Sequence, residues 1–337
     1  MVGCTGRPAR WPRGAAARGY ARWALLALVA GCGPSPGMEE TCRALAAARC
    51  EVRDRCTAGL GVLVRYGDRP TCELRETDAC LIAAGAPGTG YTRDFVTICT
   101  AALPAQECNP FFDGLPTPAC ADPAGTRVAG EACAFGSQCQ TTYCEIPRGS
   151  DCGQCAALPT EGATCPNTGE VVSGFACSKV TATWVALRGE GLACDASLPC
   201  GSGLTCVGAV PAQQIQGTCM AAVTASGAAC DPTRQTGADC DRNQGLTCGA
   251  DATCTALGLA PPWGDCGRLL DETSAICTYG SLCVFPVGSR QGTCVEAMTD
   301  GFPCDSEEGP PCLWPATCVS DPGGGALCLL PDPAFCG

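Results

Sequence analysis

The sequence predicts a small disulfide-rich fold. It should consist of an N-terminal all-α domain stapled by disulfides, followed by a string of short β or irregular cysteine-rich repeats. Three observations carry this expectation. Thirty-four of the 337 residues are cysteine, and only 5% are aromatic. The cysteines also have two textures: widely spaced in helical patterns up to residue 123, and dense among turn residues from 124 onward. With so few bulky side chains a large core cannot form, and modules that bury little apolar surface are held by cross-links instead. Each bridge closing a 10–20-residue loop contributes roughly 3 kcal/mol under the chain-entropy model.

Cysteine at this density implies an oxidising compartment and therefore an export signal. Residues 1–31 read as one. Arg7, Arg10, Arg13, Arg18 and Arg22 stand without any acidic residue, and the apolar run Trp23–Ala30 follows. That run falls far short of the ~20 residues that span a bilayer. Val29-Ala30-Gly31-Cys32 resembles the bacterial lipobox. The resemblance implies a diacylglycerol on the Cys32 thiol and cleavage that makes Cys32 the new N-terminus. Parity agrees: without Cys4 and Cys32 an even number, 32, remains for pairing. Several acyl chains anchor stably where one is marginal. Residues 32–37 are then the lipidated cysteine and a short tether.

After Cys32 the chain carries 16 basic and 33 acidic residues. This excludes a nucleic-acid partner, which needs clustered cations; dispersed acidity serves solubility. The stretch Gly85–Thr92, "GAPGTGYT", imitates a phosphate-binding loop, but Tyr91 stands where the lysine belongs and a helix, not a strand, precedes it. The glycines are read as a turn, and no nucleotide partner is expected.

Residues 38–123 form the helical domain. The first helix runs through "MEETCRALAAARCEVRDRC", rich in strong helix formers, with Glu39 and Glu40 suited to its N-terminus. Cys42, Leu45, Cys50 and Cys56 share one face. A second helix starts after Asp68 as N-cap with Pro70 in its first turn, placing Cys72 and Cys80 on one side. A third, capped by Thr92, carries Cys99. With Cys108 and Cys120 these eight cysteines permit four bridges.

Residues 124–337 are tandem repeats marked by G-x-x-C at Cys133, Cys165, Cys194, Cys230 and Cys304, with the variant "WGDC" at Cys266. The last four units hold four cysteines each, beginning with Cys194, Cys200, Cys206 and Cys219. Each such unit has three possible connectivities, and the unit at Cys165 keeps only Cys177 as partner. Cys133, Cys139, Cys144, Cys152, Cys155 and Cys165 follow a C-x5-C, Tyr-Cys, C-x-x-C pattern that resembles the Dickkopf N-terminal cysteine-rich domain. The whole chain resembles cysteine-rich lipoproteins of unknown function from Gram-negative bacteria. The resemblance implies a scaffold, not the receptor-binding activity of the animal proteins.

Catalytic constellations are scarce. Without histidine there is no Ser-His-Asp or Cys-His triad. Ser178 and Lys179 are adjacent and would not face each other in a regular element. Cys152 and Cys155 could be half a zinc site or a redox pair, but the oxidising compartment favours structural disulfides. Asp239, Asp241 and Asn243 begin like a calcium loop, then depart from it: the glycine is one place late and Ala250 takes the position of the bidentate glutamate. Asp305–Gly309 reads as a solvated turn, and nothing singles out a carboxylate pair for glycoside hydrolysis. Trp263 and Trp314 are candidate binding residues, with packing on a disulfide the favoured reading for each. No cofactor and no catalysis are expected. The expected role is surface recognition or envelope structure by a lipid-anchored outer-membrane protein, through an unidentified protein or glycan ligand. The alternative is a protease inhibitor built on disulfide-held loops.

Overall fold

The structure is a computed structural model that describes residues 37–336 apart from 148, 168–169, 270–272, 306–308 and 322–323. The signal segment, Cys4, Cys32 and nearly all of the tether lie outside the described residues, as does most of the Asp305–Gly309 turn.

The helical part has five α-helices: α1 (Met38–Arg55), α2 (Leu60–Tyr66), α3 (Arg69–Gly85), α4 (Arg93–Ala102) and α5 (Cys108–Phe112). The expected caps are present. The Asp68 carboxylate accepts from Thr71 N at 2.7 Å, and the Thr92 hydroxyl accepts from Phe95 N at 3.2 Å. Among the described residues no helix is long and apolar enough to cross a membrane.

Cysteine spacing fixes how α1 meets α3. Cys42 bonds Cys80 and Cys50 bonds Cys72. A spacing of eight on both antiparallel helices puts the two bridges as successive rungs on facing sides. Cys56–Cys108 ties the end of α1 to α5, and Cys99–Cys120 ties α4 to the segment leaving the domain. Leu45, Val52, Val96 and Leu103 fill the space between these cystines, all less than 5% exposed.

Each later repeat is a small sheet crossed by disulfides of one connectivity; the strands pair antiparallel except in the fifth, where Gly258–Ala260 runs parallel to Ser274–Cys277. First pairs with third cysteine and second with fourth, once Cys152, which bonds outside its repeat, is set aside: Cys133–Cys144 with Cys139–Cys155, Cys194–Cys206 with Cys200–Cys219, Cys230–Cys248 with Cys240–Cys254, Cys266–Cys283 with Cys277–Cys294, and Cys304–Cys318 with Cys312–Cys328. Third and fourth cysteines stand opposite each other across the hairpin, as Cys206 and Cys219 do. In the second repeat Cys165–Cys177 keeps the first bridge, and Trp184 stands opposite Cys177, where a fourth cysteine would be. Trp184 is 2% exposed and packs against both half-cystines, so an indole fills the volume of the missing bridge.

The backbone explains the G-x-x-C signature. The glycine amide three residues before the first cysteine donates to the carbonyl of the fourth: Gly130 to Cys155, Gly191 to Cys219, Gly227 to Cys254 and Gly301 to Cys328, each at 2.7–2.8 Å. The second repeat does the same from Gly162 to the Trp184 carbonyl. The clasp requires positive φ, between 77° and 86° at these five glycines, while a Cβ there would meet nothing within 4 Å. Glycine is needed for conformation and not for room. In the fifth repeat Trp263 makes the same bond at φ 67°. Its side chain is 67% exposed, so it does not pack on a disulfide, contrary to expectation. The glycine two residues before the fourth cysteine, Gly217 or Gly292, has the opposite reason: a Cβ there would lie 2.3–2.4 Å from the carbonyl oxygen of Val207 or Val284.

The helical domain followed by short-stranded, disulfide-stapled repeats is the architecture expected, and the repeats also pack on that domain. They wrap around it, and each makes a docking bond. Gly90 N donates to Ser137 O at 2.8 Å and Gln138 Nε2 to Pro87 O at 2.9 Å, so the imitation phosphate loop is a seat for the first repeat. The second and third repeats share Asp113, whose backbone O accepts from Gly174 N and whose Oδ1 accepts from Ser202 N. Gln244 of the fourth reaches Cys56 O; Tyr279 and Gly280 of the fifth donate to Leu63 O and Val64 O. In the sixth, Asp300 forms a two-pronged ion pair with Arg75, both bonds 2.7 Å, while Arg75 also donates to Leu313 O and Trp314 O. Cys152–Cys336 then joins the first repeat to the chain's end, closing a ring around the helices.

Two predictions test these contacts. Trp263→Gly removes the cost of a side chain at positive φ and is expected to stabilise by about 1 kcal/mol, while Gly227→Ala should lose a similar amount; paired denaturant titrations read both. Arg75→Met strips a nearly buried charge from its partner. Because Asp300 remains over a third exposed, the expected loss is about 2–3 kcal/mol rather than the full value of a buried pair. Faster amide exchange should be confined to 298–321; unchanged exchange there contradicts the docking role.

Candidate functional site

The sites suspected from sequence come together only in part. Ser178, Lys179, Asp239, Asp241 and Asn243 all reach the rim of one cavity of about 540 Å³ between the second, third and fourth repeats. Their polar atoms are committed locally. The Ser178 hydroxyl accepts from Val180 N and Thr181 N in a tight turn, while exposed Lys179 points no base at it through any hydrogen bond seen among the described residues. Asp239 Oδ1 accepts from Cys240 N, and Asp241 Oδ1 from Asn243 N, where it caps a short 3₁₀ turn. Arg242 lines the same cavity. These carboxylates serve the backbone of the loop. Cys152 and Cys155 do not bond each other: Cys152 joins Cys336 and Cys155 joins Cys139. The clusters of three cysteine sulfurs within the repeats consist of disulfide-bonded atoms, which have no thiolate to offer a metal.

A second cavity, about 420 Å³, lies in the helical hub and is lined by Arg49, Arg53, Arg65, Glu76, Phe111 and Trp314 among others. Its cations come from the helix face that the cystines define. Arg49 and Arg53 follow Cys42 and Leu45 and precede Cys56 at spacings of three and four, so α1 aims two arginines along its buried stripe. Arg65 is carried by α2, and Glu76 by α3.

Glu76 is spent. It is 4% exposed, accepts from Tyr66 Oη at 2.7 Å and pairs with Arg49 at 3.3 Å. Arg49 also donates to Tyr91 Oη at 3.0 Å, which gives the tyrosine in the imitation phosphate loop its role. Burial, reinforced by the Glu76 charge, pushes the Tyr66 phenol well above its ordinary range, so it stays a hydrogen-bond donor.

Arg53 and Arg65 are differently placed. The Arg53 guanidinium lies 5.5 Å from the Phe111 ring centre and 5.9 Å from that of Tyr66. Arg65 lies 5.7 Å from Tyr66 and 5.2 Å from Trp314. The order is Phe111, Arg53, Tyr66, Arg65, Trp314: rings and cations alternate. Trp314 thereby packs on the Cys50–Cys72 cluster, as expected of it, and brings the sixth repeat onto the hub. Among the described residues neither guanidinium has a hydrogen-bond acceptor or an ion-pair partner, and Arg65 Nε is buried without one. Burial first, and then the like charge of Arg65, holds Arg53 below its ordinary pKa, although a guanidinium remains charged.

Sequence reading missed this site because the arginines look like solvated members of a helix. The available signal was position: charged residues at core spacing on the cysteine-bearing stripe. No protein-family model, no curated protein and no solved structure matches this chain.

Proposed function

We propose that the chain is an exported bacterial lipoprotein, anchored through acylated Cys32 in the outer membrane, whose Dickkopf-like repeats and helical hub form a rigid, non-catalytic recognition body. One observation carries the reading. All 32 cysteines from Cys42 onward bond among themselves, in sixteen bridges. Once Cys4 is removed with the signal segment, Cys32 has no cysteine left to pair with, and the lipobox-like Val29–Cys32 gives it another fate. The rigid body favours recognition because ordered loops and pockets lose little further entropy when a ligand arrives. The absence of histidine, and carboxylates engaged with backbone amides, make general acid–base chemistry a poor fit to this chain.

Intact mass of protein purified from membranes tests the reading. The expected mass starts at Cys32 with added acyl chains and does not change with a thiol-alkylating reagent under denaturing conditions. Cys32→Ser should move the protein to the soluble fraction. An unacylated N-terminus elsewhere, with Cys32 open to alkylation, overturns it.

A further inference from the structure

We propose that the hub cavity binds a small organic oxyanion, a phosphate monoester or a carboxylate, between the guanidinium edges of Arg53 and Arg65. The proposal rests on the recognition reading above and names the chemistry of its ligand.

The cavity holds unmatched hydrogen-bond donors. A guanidinium lying over an aromatic ring uses its face and keeps its five N–H groups for acceptors in the plane. Arg53 and Arg65 both lie over rings, and among the described residues neither finds an acceptor. The nearby carboxylate cannot serve both, because Glu76 already meets Arg49 and the Tyr66 hydroxyl. Three arginines and one glutamate line the cavity, and the other carboxylate nearby, Asp122, acts on Arg49, so no acidic group pairs with Arg53 or Arg65 among the described residues. Two like charges sharing the Tyr66 ring raise each other's energy, and withdrawal from water adds to it. If these residues served only to glue the sixth repeat to the hub, an uncharged side chain of similar shape would do so without that cost.

The shape of the cavity narrows the ligand. About 420 Å³ is the size of a small-molecule site, not of a bare ion. Two planar forks suit the paired oxygens of phosphate or carboxylate. Phe111 and Trp314 offer apolar walls to whatever the anionic group is attached to. The acidic composition of the chain, 33 acids to 16 bases after Cys32, makes this cationic interior a local exception that general solubility does not explain.

Isothermal titration and thermal shift of the purified, disulfide-bonded protein, prepared in buffer free of phosphate and carboxylate, test the proposal. The probes are inorganic phosphate, phenyl phosphate, benzoate and neutral phenol. Phenyl phosphate is expected to bind and raise Tm, inorganic phosphate to bind more weakly for lack of an apolar body, and phenol not to bind. Arg53→Gln and Arg65→Gln should each weaken phenyl phosphate by about ten-fold or more, the usual loss for a charged hydrogen-bonding partner. Exposed Arg93→Gln should leave binding unchanged. Without ligand, Arg53→Gln should be no less stable than the parent, because it removes an unmatched charge. No response to any anionic probe at millimolar concentration, or binding indifferent to both substitutions, overturns the proposal. A marked loss of stability in ligand-free Arg53→Gln does so too, by assigning the residue to structure. Such a failure leaves the lipoprotein reading standing, since that is scored by the mass at Cys32.

Discussion

The two rungs Cys42–Cys80 and Cys50–Cys72 hold α1 against α3, and every other contact is referred to that helix pair. Four of the ten buried residues in the core around them, Cys42, Cys56, Cys80 and Cys99, are half-cystines, so covalent bonds and apolar burial fix α1 together. Covalent rungs do so by removing freedom from the unfolded chain. With α1 fixed, Cys56 positions α5, Asp54 accepts from Val62 N to seat α2, and the backbone edges that receive the repeats stand in place.

The repeats solve the same shortage of core in miniature. Each crosses two disulfides through a hairpin and closes it with an amide at positive φ, giving a rigid unit with almost no apolar interior. Such a unit has little hydrophobic face to bury: Phe135 of the first repeat and Trp314 of the sixth pack on apolar clusters of the hub, and the rest of the docking is polar. It runs through backbone amides and carbonyls, through the Asp113 carboxylate and through the Arg75–Asp300 pair. The second repeat marks the limit of the device. Deprived of one bridge, it brings in Trp184, and the cluster around that indole also recruits Tyr143 from the first repeat. Covalent and apolar closure are thus interchangeable at one position of the unit.

Much of this architecture is legible in the sequence because it depends on local rules. Asp68 and Thr92 announce helix starts through capping chemistry, and G-x-x-C announces each repeat through the φ it demands. Helix α2, only seven residues set between Gly59 and Gly67, carries too short a pattern to be read. The crossed connectivity was one of three choices that the spacing leaves open; third and fourth cysteines stand opposite across the hairpin, and each bonds back to an earlier cysteine. The ring was not legible at all. Its closures join residues such as Arg75 and Asp300, or Cys152 and Cys336, whose partners are named by no local pattern. The same holds for the arginine cavity, which exists only where α1, α2, α5 and the sixth repeat meet.

The closed ring is therefore the central claim, and a disulfide map of the non-reduced protein tests it most directly. Proteolysis without reduction, followed by mass analysis, should yield a peptide pair joining Cys152 to Cys336. Alongside it should come first-to-third and second-to-fourth pairs from the repeats. A Cys152–Cys155 bridge, or Cys336 recovered as a free thiol, would contradict the account and leave an open string of modules in its place.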